Sequence, residues 1–232
     1  MPLFRKIRYY KHKLDERFAI YVDKIEAKKI VKEKLGEDIC IPKIVRILKE
    51  PNDFNKDDIN SNHIVKSAHG CGWNINMTEQ TTVQEVIKSL KKWNVKYNWW
   101  EEKQYAHINP RFFIEEKIDG PLGGYALVYM FRCIRGRPVT IGVKCVKQNQ
   151  QNSYDLDWNP ILPVKLEGIE KPKRLDKMQE LATKLSQPFE FVRIDFYYVD
   201  ETIYFSEYTF TPAGGMQIFP LELEMKYGKL WR

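Results

Sequence analysis

The chain has 232 residues, 43% of them hydrophobic and 13% aromatic, and a formal charge of +7. That composition excludes a disordered polar segment, and no apolar run approaches the roughly 18–20 residues of a membrane span. The length admits one large domain or two small intimate lobes, and the charge favours an anionic partner: nucleotide, phosphorylated sugar, nucleic acid or lipid headgroup.

Cys40, Cys71, Cys133 and Cys145 form no C-x-x-C pair and the four histidines are scattered. A zinc site is therefore not indicated, and free thiols in a reducing cytoplasm are expected. The N-terminus is basic but has no apolar h-region or small-residue cleavage site, which also favours a cytoplasmic location.

In chain order, "MPLFRKIRYYKHKLDERFAIYVDK" is basic with interleaved aromatics. It is either a solvated helix packed on the body or a contact for a membrane surface or a partner. "DKIEAKKIVKEKLG" predicts a helix capped by Gly36, with Ile20, Ile30, Val31 and Leu35 available for its apolar face. "PKIVRIL" predicts a short strand, "HIVKSAHGCGWNINM" a strand, a glycine turn and a second strand, and "TVQEVIKSLKKW" an amphipathic helix. Trp93, Trp99 and Trp100 are expected to pack in a core or lobe. "RFFIEEKIDG" is a strand running into a turn, and "YALVYMFRCIRGRPVTIGVKCV" a hairpin turning at Arg135-Gly136. Residues 147–172 are polar, with Pro160, Pro163 and Pro172, and are expected to form a long loop, a candidate lid. "KRLDKMQELATKLSQ" places Leu175, Met178, Leu181 and Leu185 on one helical stripe. Strands and helices mix without regular βαβ alternation, so the class is α+β.

"VRIDFYYVDETIYFSEYTFTPAGG" carries the most chemistry. Alternation puts Arg193 and Asp195 on one face of a strand, and Glu207 and Thr209 on one face of the next. A three-residue turn centred on Glu201 would set Asp195 across from Glu207, both pointing the same way; a two-residue turn would set them on opposite faces. Facing carboxylates repel, so they need a shared cation. Oxygen ligands suit Mg²⁺, and Arg193 could pair with them or clamp a phosphate. A plain Arg–Asp–Glu network on a sheet surface is the structural alternative. "IVKSAHGCG" sets Lys66 before Gly70 and Gly72, a turn whose N–H groups can approach phosphate, although most such turns are only turns. His69 flanks it and either touches phosphate or is an ordinary turn histidine; His63 and His107 have no ligand spacing. In "FFIEEK", Glu115 and Glu116 are adjacent and face opposite ways, so either one of them is interior or both are a solvated pair at a strand edge.

Taken in order, these elements resemble the ATP-grasp superfamily, and within it the TupA-like branch associated with teichuronopeptide and surface-polysaccharide synthesis. The run is Asp23-Lys24 with Lys28; Lys66 with Gly70 and Gly72; Glu115, Glu116 and Gly120; Arg193 and Asp195; then Glu207, Thr209, Gly214 and Gly215. The similarity covers roughly residues 20–231. It implies an ATP-grasp fold with ATP and Mg²⁺ held between two lobes around residues 60–118 and 119–232, residues 21–59 packing on them and residues 1–20 forming a basic extension. By resemblance Lys28 and Lys66 contact phosphates, Gly70 and Gly72 belong to the loop over them, and the backbone of Glu115, Glu116, Lys117 and Ile118 meets the adenine edge. Asp119 is the nearest ribose-binding acid, Asp195 and Glu207 are the Mg²⁺ ligands, Arg193 lies near the γ-phosphate, and Gly214 and Gly215 offer N–H donors to an oxyanion. A Tyr-Lys pair common in the branch reads Tyr129-Met130 here, so that lysine is missing; Lys144 on the next strand is a candidate substitute.

The function implied is an ATP-dependent carboxylate–amine ligase working through an acylphosphate, in modification of a surface glycan, on small-molecule or glycan-precursor acids and amines. The rivals are a sugar or polyol kinase on the same scaffold, an ATP-binding protein without catalysis, and a nucleic-acid-binding module, which would leave Asp195 and Glu207 unexplained.

Overall fold

The structure, a computed structural model, describes residues 1–97, 102–120 and 126–231. Trp99 and Trp100 lie outside the described residues. In chain order come helices α1 (Leu3–Lys11), α2 (Ala19–Val22) and α3 (Lys24–Leu35), strands β1 (Ile44–Leu48), β2 (His63–Ser67) and β3 (Asn74–Asn76), helix α4 (Val83–Trp93) and strand β4 (Phe112–Glu116). Strands β5 (Val128–Ile134), β6 (Arg137–Cys145) and β7 (Gln150–Tyr154) follow, then α5 (Leu175–Ser186), β8 (Phe191–Val199), β9 (Thr202–Thr209) and α6 (Leu221–Leu230). The fold is α+β, with two antiparallel sheets ordered β1-β4-β2-β3 and β7-β6-β5-β8-β9. The chain forms two compact units: residues 14–34 with 41–117, and residues 1–13 with 35–40 and 118–232.

In the first unit β4 is an inner strand buried on both faces. Phe112 and Ile114 join Leu48, Val65, Val86 and Leu90 on one side, while Phe113 meets Ile25 and Ala68 on the other. Helix α4 starts with a reciprocal cap: Glu85 N–H donates to Thr82 Oγ1 at 3.3 Å and Thr82 N–H to the Glu85 carboxylate at 3.0 Å, a device worth about 1 kcal/mol. Asp23 caps α3, accepting from Ile25 and Glu26 N–H at 2.9 and 3.2 Å. The helix ends at Leu35, and Gly36 follows at φ +54°. Ile25, Ala27 and Val31 supply its buried face, whereas Ile20 is 48% exposed. Asp23 is extended, with ψ 112°, so the chain changes direction there and Ile20 does not continue the α3 stripe.

In the second unit α5 buries Leu175, Met178, Leu181 and Leu185, with Cys133 Sγ lying against its Ala182 carbonyl. The opposite face of the sheet carries Arg132, Arg193 and Asp195. The β5–β6 hairpin turns on Arg135 and Gly136 at φ 48° and 74°, the type I′ geometry that matches strand twist. Residues 150–154, expected in a long loop, form edge strand β7. Its backbone pairing needs no apolar alternation, so "QQNSY" gave no strand signal. Asn152 pins the following segment, accepting from Lys165 and Leu166 N–H and donating to the Leu166 carbonyl at 2.7 Å, which argues against a free lid there. Helix α1 is a packed helix: Leu3, Ile7 and Tyr10 are buried against α6 and the Pro212–Gly215 turn. A Cβ on Gly228 would lie 2.2 Å from the Met1 carbonyl, so only glycine permits that approach. Among the described residues no helix is long and apolar enough to cross a membrane.

Candidate functional site

The β8–β9 hairpin has a two-residue turn, Asp200-Glu201, at φ 47° and 58°. The three-residue turn expected from sequence is absent. A two-residue turn alone would pair Asp195 with Ser206. A bulge intervenes instead: Phe196 faces Phe205, but Asp195 faces Glu207. The extra residue, Ser206, restores the parity that the turn removes, and both carboxylates share a face.

Arg193 chelates Asp195, with Nε to Oδ1 at 2.7 Å and Nη2 to Oδ2 at 2.5 Å. The same Nη2 reaches Thr209 Oγ1 at 3.0 Å and Glu207 Oε1 at 3.4 Å. Asp195 is 2% exposed. Burial pushes its pKa up to about 6; Arg193 opposes the rise and Glu207 adds to it. Among the described residues no group of three or more His, Cys, Asp or Glu could hold a metal ion, so a cation here would rest on two carboxylates and on oxygens from a ligand. That donor set fits Mg²⁺, which takes one or two carboxylates and completes its shell with water and phosphate. Arg193 is the counter-charge in the structure as it stands.

The first unit has its own ion cluster. Glu115 points inward and is 1% exposed, while Glu116 is exposed. The Glu115 carboxylate takes Lys28 Nζ at 2.8 Å on one oxygen and Lys66 Nζ at 2.5 Å on the other. Lys66 on β2 reaches it because Phe113 and Glu115 follow one another on the same face of β4, opposite Lys66 and Ile64. Burial opposes the Glu115 charge, but Lys28 and then Lys66 outweigh it, so its pKa lies below the ordinary value. Lys28, 4% exposed, is pulled down by burial against the support of Glu115. Asp23 holds the start of α3, which carries Lys28, and its other oxygen binds Arg111 at 2.7 Å. The two lysines thus converge, and the residue that gathers them is the glutamate side chain, which sequence reasoning had valued only for its backbone.

Residues 4–231 match the family model for TupA-like ATP-grasp proteins. The chain belongs to the TupA-like ATP-grasp family. Comparison with curated protein sequences gives no match. Among solved structures, the TupA-like chain is similar in fold to a D-alanine–D-alanine ligase from Bacillus anthracis in complex with ATP, at 18% identity and TM-score 0.54, covering 90% of this chain and 60% of that one. An L-amino acid ligase from Bacillus licheniformis is similar at 16% identity and TM-score 0.53, covering 84% and 44%. A D-alanine–D-alanine ligase from Helicobacter pylori follows at 17% and 0.50, covering 82% and 54%. The chain therefore spans about half the length of these ligases.

The other positions drawn from the family pattern fare unevenly. Gly72 sits at φ +71° with open space where a Cβ would lie, whereas Gly70 is glycine because a Cβ would meet the Trp73 ring at 2.5 Å. Lys24 Nζ donates to the Gly70 carbonyl. The N–H groups of Glu116 and Lys117 are spent on the Lys43 and Asn62 carbonyls at 2.9 and 2.8 Å. They cannot also meet a base edge, because strand pairing continues past β4, and Ile118 is the N–H left for that role. Gly214 N–H is likewise used, donating to the Thr211 carbonyl at 2.8 Å, and Gly215 closes the same 3-10 turn, buried against Arg8 of α1. Ala213, Gly214 and Gly215 all have positive φ, a conformation free for the two glycines and uncommon only for Ala213.

Asp119 lines a cavity of about 730 Å³ with Leu127, Tyr129, Lys171 and Tyr198. Tyr129 and Tyr198 alternate away from Asp195, so this cavity lies off the carboxylate face, and the donor geometry is the better guide to chemistry. Lys144 is on the carboxylate face, opposite Val128 and one register step from the Met130 position. His69 is a core residue: Nε2 donates to the Trp93 carbonyl at 2.9 Å, and Nδ1 accepts from Arg111 N–H at 3.3 Å. Arg132, which sequence reasoning passed over, lies on the carboxylate face directly opposite Arg193. Its signal was the alternation of "VYMFRCI", in which it shares parity with Met130.

Proposed function

We propose that the protein is an ATP- and Mg²⁺-dependent carboxylate–amine ligase. The observation that carries the reading is the face-to-face pairing of Asp195 and Glu207 with Arg193 across the hairpin. A bulge maintains that pairing against electrostatic repulsion, and a repelling pair of acids with one member buried is of little use to the fold alone. In support, similar structures include a D-alanine–D-alanine ligase in complex with ATP and an L-amino acid ligase.

Asp195 and Glu207 would hold Mg²⁺, which when bound neutralises phosphate charge. Arg193 then turns its guanidinium from Asp195 to the transferred phosphoryl group. Lys28 and Lys66 bind phosphate oxygens; with Glu115 between them they still carry one net positive charge. By family resemblance Gly214 and Gly215 donate N–H groups to the oxygen that becomes negative when an amine attacks the acylphosphate, which here requires the Pro212–Gly215 turn to release one of its internal bonds. These residues orient and stabilise charge, and none is asked to form a bond. By family resemblance the setting is modification of a surface glycan or its precursor.

Hydroxylamine tests the reaction class. With protein, ATP, Mg²⁺ and a competent acid, the acylphosphate should be trapped as a hydroxamate, with ADP release depending on the acid. A phosphorylated alcohol, without hydroxamate from any acid, would establish the kinase instead.

A further inference from the structure

Arg132 on β5 and Thr140 on β6 face each other directly in the sheet register. Both are unsatisfied. Arg132 is 2% exposed, and its Nε and Nη1 are buried without a hydrogen-bond partner; Thr140 is 0% exposed and its Oγ1 is likewise alone. Every charged group near the guanidinium is accounted for. Arg193, its other cross-strand neighbour, repels it and is itself bound to Asp195, whose two oxygens it occupies. Glu224 is committed to the N–H groups of Phe4, Ile218 and Phe219. Asp195 and Glu224 favour the Arg132 charge through space, and the Phe219 ring lies 5.0 Å away.

These energies do not balance within the protein. A buried, unpaired ion costs several kcal/mol, and an orphaned hydroxyl adds about 1–3. A cation–π contact returns about 0.5–2 kcal/mol. Burial, with Arg193 beside it, lowers the Arg132 pKa only to about 10, so the cation persists at neutral pH. Gly142 is glycine because that corner is tightly filled: a Cβ there would stand 3.0 Å from Gln151 Nε2 and from the Met130 methyl, and 3.5 Å from Arg132 Nη1.

We propose that Arg132 and Thr140 form an oxyanion subsite beside Arg193, filled during the reaction by the transferred phosphoryl group or by a carboxylate of the substrate. The proposal rests on the ligase reading of the Asp195–Glu207 face. The Arg132–Arg193 row lies one register step, about 6.6 Å, from the Met130–Asp195–Glu207 row, so the subsite borders the carboxylates without being made by them. A guanidinium fork and a hydroxyl suit a planar carboxylate or a phosphate better than a spherical halide.

The test compares wild type with Arg132→Met, Arg132→Lys and Thr140→Val, titrated with inorganic phosphate and, separately, malonate. Each titration is run with and without Mg-ADP and read as dissociation constant and thermal midpoint. Wild type should bind one of the two anions, and which one identifies the source. Arg132→Met should weaken that binding about 10–100-fold, Arg132→Lys by less, and Mg-ADP affinity should stay within about twofold. Should Arg132→Met not fold, Thr140→Val must show the loss. Equal anion binding by wild type and variants, or no response of wild type to either anion, would reduce Arg132 to a hydrated internal cation and overturn the proposal. Failure of wild type to bind Mg-ADP would sink the ligase reading alone, since the nucleotide-free titrations still decide for Arg132.

Discussion

The two buried ion clusters are opposites in charge. In the four-stranded unit two ammonium groups share the single carboxylate of Glu115, whereas in the five-stranded unit one guanidinium serves the two carboxylates of Asp195 and Glu207. Glu115 and Asp195 are equally buried, at 1% and 2% exposure, yet their pKa values move in opposite directions, down for Glu115 and up to about 6 for Asp195. Burial cannot be the difference. The bonded partners are: two bonded cations outweigh desolvation at Glu115, while one bonded cation and a more distant Arg132, set against a rival acid, do not at Asp195. Counted by these ion pairs alone, each cluster is one charge from neutral and of opposite sign; Arg132, on the Asp195 face, adds a further cation there. A buried surplus charge is a poor stability device.

The strongest way to break the comparison is to remove the hub of each cluster. Glu115→Ala strands two ammonium groups, one of them fully buried, and should cost about 3–5 kcal/mol in denaturant unfolding. Glu115→Gln, which keeps the shape, should cost less. Asp195→Asn should behave differently: Arg193 keeps Glu207 and Thr209, so the fold survives by near-ultraviolet circular dichroism. Its loss should appear in ATP turnover, by about 100-fold or more, since even an outer-shell partner of a metal ligand is worth about 10–100-fold. Equal destabilisation by Asp195→Asn and Glu115→Ala would mean that both clusters are merely structural.

A smaller effect sharpens the first cluster. Lys66→Met leaves Glu115 paired to Lys28, so the fold should hold while nucleotide affinity by calorimetry falls about tenfold, the value of one charge-assisted hydrogen bond. Lys28→Met should lower affinity similarly, with a larger stability cost because Lys28 is the more buried. Unchanged ATP affinity in both variants would exclude the phosphate role.

How much of this could be read beforehand depended on whether partners were near in sequence. Asp195 and Glu207 lie within one hairpin, and strand alternation placed them on one face. The route was misread, because "DET" looks like a three-residue turn and nothing in "YFSEY" marks Ser206 as a bulge. Lys28, Lys66 and Glu115 come from three separate segments; the β2–β4 register brings Lys66, and the packing of α3 brings Lys28, to that carboxylate. The backbone of residues 115–118 was legible as a strand end, but the segments that consume the Glu116 and Lys117 N–H groups were not. Arg132 stayed hidden for a related reason: a guanidinium in an apolar strand looks ordinary until its missing partners can be counted.

The last and smallest effect sets one titrating group from each unit against the other in the same pH window. His69 is held neutral by burial, so its folded pKa lies below the ordinary 6.5. Below pH 6.5 the unfolded chain binds the proton that folded His69 refuses, and stability falls as pH drops. Asp195 works in the opposite sense. Its folded pKa of about 6 exceeds the 3.8 of an unperturbed aspartate. Between those values the folded chain holds the extra proton, so stability rises as pH drops. Either slope is bounded by about 1.4 kcal/mol per pH unit, and in wild type they partly cancel between pH 6.5 and 5. Unfolding midpoints measured in EDTA across that range should therefore change little. His69→Gln should uncover stabilisation on acidification, and Asp195→Asn should uncover destabilisation. The readout is the slope, so a uniform loss of stability in either variant does not affect it. Slopes of the same sign in the two variants would refute the assignment of opposite proton affinities to the two units.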